Sequence, residues 1–117
     1  MALQDHMKIA AAELAKASTL AKQEANQLRS QSADLQKNVN LQVARLSQQM
    51  KLHEQEINNT DDPTRRSQAR SAITSLQRQI ADSNSQLKKD LQRIQDTIRQ
   101  KEDLIDSLEQ QSRSVSP

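Results

Sequence analysis

Residues 58–63, Asn-Asn-Thr-Asp-Asp-Pro, interrupt two long helical patterns of similar length. Asn58 or Asn59 can take the left-handed conformation that ends many helices, a position that Gly fills more often. Asp62 followed by Pro63 has the pattern of a helix N-cap with Pro at the first helical position. We therefore predict one helix over residues 1–57, a polar turn at 58–63 and a second helix that begins at Pro63.

The composition favours helices over strands. The chain has 117 residues, of which 33% are hydrophobic, and it contains no aromatic residue, no Gly and no Cys. A sheet protein with many tight turns normally needs Gly, whereas Ala, Leu, Gln, Lys, Arg and Glu are good helix formers. Low hydrophobicity is also typical of disordered chains, so the choice between helix and disorder depends on the spacing of the apolar residues.

Apolar residues follow each other at intervals of three and four on both sides of the turn, as a helix requires. Facing residues of an antiparallel hairpin have numbers with a constant sum, and a sum of 126 pairs nearly all the large apolar residues. Half of that sum is 63, the position of the Pro in the turn. The predicted seam consists of Leu28, Leu35, Val39, Leu46, Met50, Leu76, Ile80, Leu87, Leu91 and Ile98.

We therefore predict an all-α fold, a long antiparallel helical hairpin of the coiled-coil type, with the second helix over residues 63–111 and a disordered tail at 112–117. The rival is a parallel dimer of one long helix, which would have to pass through Pro63 at a cost of about 3 kcal/mol or more. The N-terminal third is rich in Ala and could be continuous, frayed or folded back. Residues 1–6 resemble the remnant of a cloning junction, so native sequence could begin at Met7.

On each helix, the apolar residues spaced by three and four that form the predicted seam make up its main stripe. A second, thinner apolar line runs along the first helix, about 130° from this main stripe by the helical angle of 100° per residue. It consists of Ile9, Leu20, Leu41 and Leu52, and the second helix shows no comparable line. Single exposed leucines are common on protein surfaces and need no explanation. The alternative is that the first helix contacts a partner, because two helices alone bury little apolar area. We expect a second copy, giving a dimer with a four-helix arrangement, or another helical protein.

No pattern in the sequence predicts catalysis, a cofactor or a metal site. There is no Cys, no Gly-rich phosphate loop and no helical pair of His residues. His53 lies on the main stripe as a single His without a second ligand nearby in the pattern. We therefore expect a protein that is not an enzyme and that has no catalytic, cofactor-binding or metal-binding residues.

The charges are close to balance, with a net charge of +2. Lys and Arg, including Lys22 and Arg29, recur along the first helix in a basic band, and acidic residues such as Glu102 and Glu109 cluster near the end of the second. A solvated face of mixed charge is the usual reading. Binding to nucleic acid or to a membrane surface is the alternative, and the absence of aromatic residues for base stacking argues against the former.

The sequence thus predicts a structural or adaptor protein, such as a scaffold, that mediates protein–protein interaction or self-assembly. A small helical escort or chaperone, or a stalk component of a secretion or assembly machine, is the main alternative. A basic rod for nucleic acid or membrane surfaces comes third. We find no apolar run long enough to span a bilayer and no signal-peptide pattern, and we expect a cytoplasmic protein.

Overall fold

The computed structural model of the chain describes residues 2–115. Two α-helices make up nearly all of this part: α1 spans Ala2–Asn59 with 58 residues, and α2 spans Pro63–Val115 with 53 residues. No strand occurs among the described residues. The two helices pack against each other in an antiparallel arrangement, so the predicted all-α helical hairpin is confirmed.

The turn is shorter than the sequence predicts, because α1 continues through Asn58 and Asn59 and only residues 60–62 lie outside the helices. No described residue has a positive φ, so the expected left-handed Asn cap is wrong. Two side chains accept hydrogen bonds from backbone N–H groups of the turn and of the start of α2. The backbone N–H of Asp62 donates to Thr60 Oγ1 at 3.2 Å, and the Asp62 carboxylate accepts a 3.0 Å bond from the N–H of Thr64. The chain therefore reverses without a residue in the left-handed region.

Asp62 is the N-cap of α2, in agreement with the sequence pattern. Its carboxylate binds the second helical N–H, and its carbonyl oxygen accepts the first helical hydrogen bond, from the N–H of Arg66 at 3.0 Å. Pro63 follows as the first helical residue, where its lack of an N–H costs nothing.

Both outer ends of the described chain are helical. The Ala-rich third of α1 is continuous helix from Ala2 onward, the first of the three alternatives left open by the sequence. Helix α2 runs on through residues 112–115, which the sequence analysis assigned to a disordered tail, while residues 116–117 and Met1 lie outside the described residues. The Ser114 hydroxyl donates to the carbonyl of Gln110 at 3.0 Å, and the positive Arg113 lies near the negative end of the helix dipole. The charge of Arg113 favours the extra turn.

The packing divides into two compact units. Unit 1 comprises residues 2–32 of α1 and 92–115 of α2. Its buried residues are small: Ser18, Ala21 and Ala25. Small side chains let the two helices approach closely but remove little apolar area from water.

Unit 2 comprises residues 33–91 and includes the turn. Its buried residues are Ala69, Leu76 and Leu87, so large apolar side chains contribute to this core. The other residues of the predicted seam are half-buried, in this unit Leu35, Val39, Leu46, Met50, Ile80 and Leu91, and in unit 1 Leu28 and Ile98. Half-burial is expected because each helix of a two-helix packing has only one neighbour.

Candidate protein-binding surface

The four residues of the second apolar line are all exposed to solvent. Ile9 and Leu20, in unit 1, have exposed fractions of 57% and 56%. Leu41 and Leu52, in unit 2, are exposed by 51% and 64%. Neither pair is covered by the other helix of its own unit, in contrast to the half-buried seam residues described above.

Leu41 also borders a shallow groove on the surface of α1. The groove measures about 460 Å³ and is lined by Ala33, Gln36, Lys37 and Asn40 together with Leu41. All five residues belong to α1 and to unit 2. An open groove beside an exposed leucine can accept an apolar side chain from another helix, but it cannot exclude water from a reacting group as an enclosed pocket does.

Apolar side chains outside the second apolar line are exposed as well. Leu104 of α2 is 45% exposed and was not singled out by any pattern in the sequence. Leu104 precedes the half-buried Ile105 of the main stripe, and this position next to the stripe is the signal that could have identified it. Leu3 and Met7, which lie on the main stripe of α1 by their spacing, are also exposed. No described residue of α2 has a number that adds to 126 with either of them.

Three ion pairs join α1 to α2 in unit 1, and the sequence analysis predicted none of them. Lys22 Nζ lies 3.0 Å from Glu109 Oε1, Arg29 Nη2 lies 2.5 Å from Glu102 Oε1, and Lys101 Nζ lies 2.5 Å from Glu24 Oε2. Lys22 and Arg29 belong to the basic band, so part of this band is neutralised by the acidic cluster of α2.

A second groove lies between the helices of unit 1. It measures about 250 Å³ and is lined by Leu14, Ala15, Ser18, Thr19, Lys22, Leu108, Glu109 and Ser112. Ser18 and Leu108 have numbers that add to 126, as do Leu14 and Ser112. These two pairs of lining residues agree with the constant sum.

The titratable groups of the described residues do not converge on a metal site. Nowhere in residues 2–115 do three or more His, Cys, Asp or Glu residues form a group that could hold a metal ion. His53 is half-buried, and its Nδ1 lies 3.8 Å from Oε2 of Glu56, one turn further along α1. This is a local contact within one helix, of the kind that neighbouring turns commonly make.

Neither helix of the described chain combines the length and the apolar content of a membrane-spanning segment. Comparison of the chain with protein-family models, with curated protein sequences and with solved structures finds no match.

Proposed function

We propose that this protein is a non-enzymatic structural or adaptor protein that acts by helix–helix association, first of all with a second copy of itself. The observation that carries the proposal is the exposure of Leu41 and Leu52, which are 51% and 64% accessible on α1. When a partner covers an apolar side chain that is half or more exposed, the complex is stabilised by about 25 cal/mol per Å² of apolar area buried.

The spacing of these two leucines suits a two-fold dimer. Residues 41, 45, 48 and 52 succeed each other at intervals of four, three and four and therefore share one side of α1. A two-fold axis midway along this run pairs Leu41 of one copy with Leu52 of the other, because such an interface joins the same patch to itself. The same axis sets Arg45 of one copy opposite Gln48 of the other.

The test is a double variant, Leu41→Asp with Leu52→Asp. Four charges would enter a symmetric interface, so we expect self-association to weaken by roughly a hundredfold or more. Helix content should stay at the parent level, since both positions are exposed. Sedimentation velocity measures the association, and circular dichroism measures the helix content.

The matched control is Gln42→Asp with Gln49→Asp. Both residues are exposed on α1 in the same unit, and the control adds the same charge outside the run of residues 41, 45, 48 and 52. It should associate like the parent. If the leucine double variant sediments like the parent at every concentration, the proposed interface is wrong.

A helical escort is the second candidate function, and the small side chains in the core of unit 1 favour it. A core of Ser18, Ala21 and Ala25 holds the two arms with little apolar area, so a client helix could replace one arm at low cost. This function requires rapid amide exchange over residues 3–25 in the free protein and slower exchange when a client is bound. A scaffold would instead protect these amides without any partner.

A further inference from the structure

Unit 1 has a core of small side chains but a concentration of charge pairs. Among the residues of this unit whose burial is described, only Ser18, Ala21 and Ala25 are buried, while larger apolar residues, such as Leu14 and Leu108, are half-buried. Every ion pair that joins α1 to α2 in the described part of the chain lies here. In unit 2 the buried Leu76 and Leu87 supply apolar contact instead.

We propose that Lys22–Glu109, Arg29–Glu102 and Glu24–Lys101 form an electrostatic latch that closes unit 1, so that rising salt opens this end of the hairpin while unit 2 stays folded. The side chains of the latch are between 31% and 56% exposed, so salt ions reach them. The Debye length falls from about 30 Å at 0.01 M ionic strength to about 3 Å at 1 M. Exposed pairs are individually weak, but three acting on one opening change its equilibrium constant by roughly tenfold.

Opening of unit 1 would expose apolar side chains that are half-buried when the unit is closed. The half-buried Leu14 and Leu28 of α1 and Leu108 of α2 would become accessible together when residues 10–32 separate from residues 92–112. The latch would then control access to an apolar surface that differs from the exposed Leu41 and Leu52 of unit 2.

Hydrogen exchange of the full chain, read by mass spectrometry at about 0.02 M and about 1 M NaCl, tests the latch directly. We expect exchange over residues 10–32 and 92–112 to be roughly tenfold faster at the higher salt. Exchange over residues 65–90 should change by less than about twofold, since its core is apolar and is not weakened by charge screening. Equal responses of the two regions, or no response in unit 1, would overturn the proposal.

A charge swap separates the latch from a general effect of salt. Arg29→Glu and Glu102→Arg, each alone, place like charges together and should accelerate exchange in unit 1 at low salt. The variant that carries both substitutions restores an opposite pair and should return exchange to within about threefold of the parent.

The matched control for the swap is Asp103→Arg, which makes the same charge change at the neighbouring exposed position. Asp103 takes part in no ion pair of the described chain, so exchange in unit 1 should remain at the parent rate. Opening caused by this control to the same degree as by Glu102→Arg would show that net charge, not the specific pair, closes the unit. A swapped variant as open as the single variants would equally contradict the latch.

Discussion

Asp62 shows how much a single residue type contributes to this fold. The Asp-Pro pattern predicts an N-cap, and the structure places the Asp62 carboxylate 3.0 Å from the N–H of Thr64. The cap of the preceding helix was not predictable in the same way. Asn58 and Asn59 both suit a left-handed cap, yet both remain helical, and the hydrogen bond seen in the turn is the one that the Thr60 hydroxyl accepts from the N–H of Asp62. Which of several competing polar side chains binds the backbone depends on geometry that residue types alone do not specify.

Replacement of the cap should therefore destabilise the hairpin. Asp62→Ala removes the acceptor for the N–H of Thr64, and we expect the free energy of unfolding to fall by about 0.5–2 kcal/mol. Urea unfolding followed by circular dichroism measures this loss. Asp61→Ala is the control, since Asp61 is exposed and makes no hydrogen bond in the described chain, and it should change stability by less than about 0.5 kcal/mol. Equal effects of the two variants would refute the capping role.

At the scale of the helix, the spacing of apolar residues was sufficient to predict both helices and the hairpin that they form. Two pairs of residues that line the inter-helix groove of unit 1, Leu14 with Ser112 and Ser18 with Leu108, have numbers that add to 126. The ion pairs were harder to predict. The constant sum of 126 sets Lys101 opposite Ala25, but Lys101 binds Glu24, because a long side chain can reach past the seam to a neighbouring residue. A register identifies the facing backbone positions, whereas partners beside the seam depend on side-chain reach.

The close approach of the helices in unit 1 predicts a size limit at Ala25. This residue is only 1% exposed, so Ala25→Leu would force extra atoms into a packed position and should cost about 1–3 kcal/mol of stability. The control Ala44→Leu adds the same atoms at an exposed position of α1 and should alter stability by less than about 0.5 kcal/mol. Thermal and urea unfolding measure both. A stabilised Ala25→Leu variant would show that this part of the seam is loosely packed.

The larger buried side chains of unit 2 predict that its stability is sensitive to the removal of side-chain volume. Leu87 is buried, so Leu87→Ala should lower the free energy of unfolding by about 2 kcal/mol or more through lost apolar burial and a cavity. Leu104 is 45% exposed, and Leu104→Ala should cost less than about 1 kcal/mol. Urea unfolding compares the two variants under one condition. Similar losses at both positions would contradict the assignment of Leu87 to the core.

For the whole molecule, two features carried by different residues predict the same fold: the residue types in the turn and the pairing of the two apolar stripes. Asp62 and Pro63 begin α2, and 63 is also half of the sum that pairs the apolar stripes. Such agreement is typical of sequences that specify one structure. The function follows less directly, because exposed Leu41 and Leu52 indicate a surface that a partner would cover without naming the partner. A second copy is the occupant that we propose.

The mass of the unmodified protein in solution, measured by light scattering over a concentration series, tests this account most directly. One chain has a mass of 13.2 kDa. We predict that the mass rises with concentration to twice that value and then stays there, because a two-fold interface closes on itself. A mass that remains at 13.2 kDa over the whole series would contradict self-association through α1.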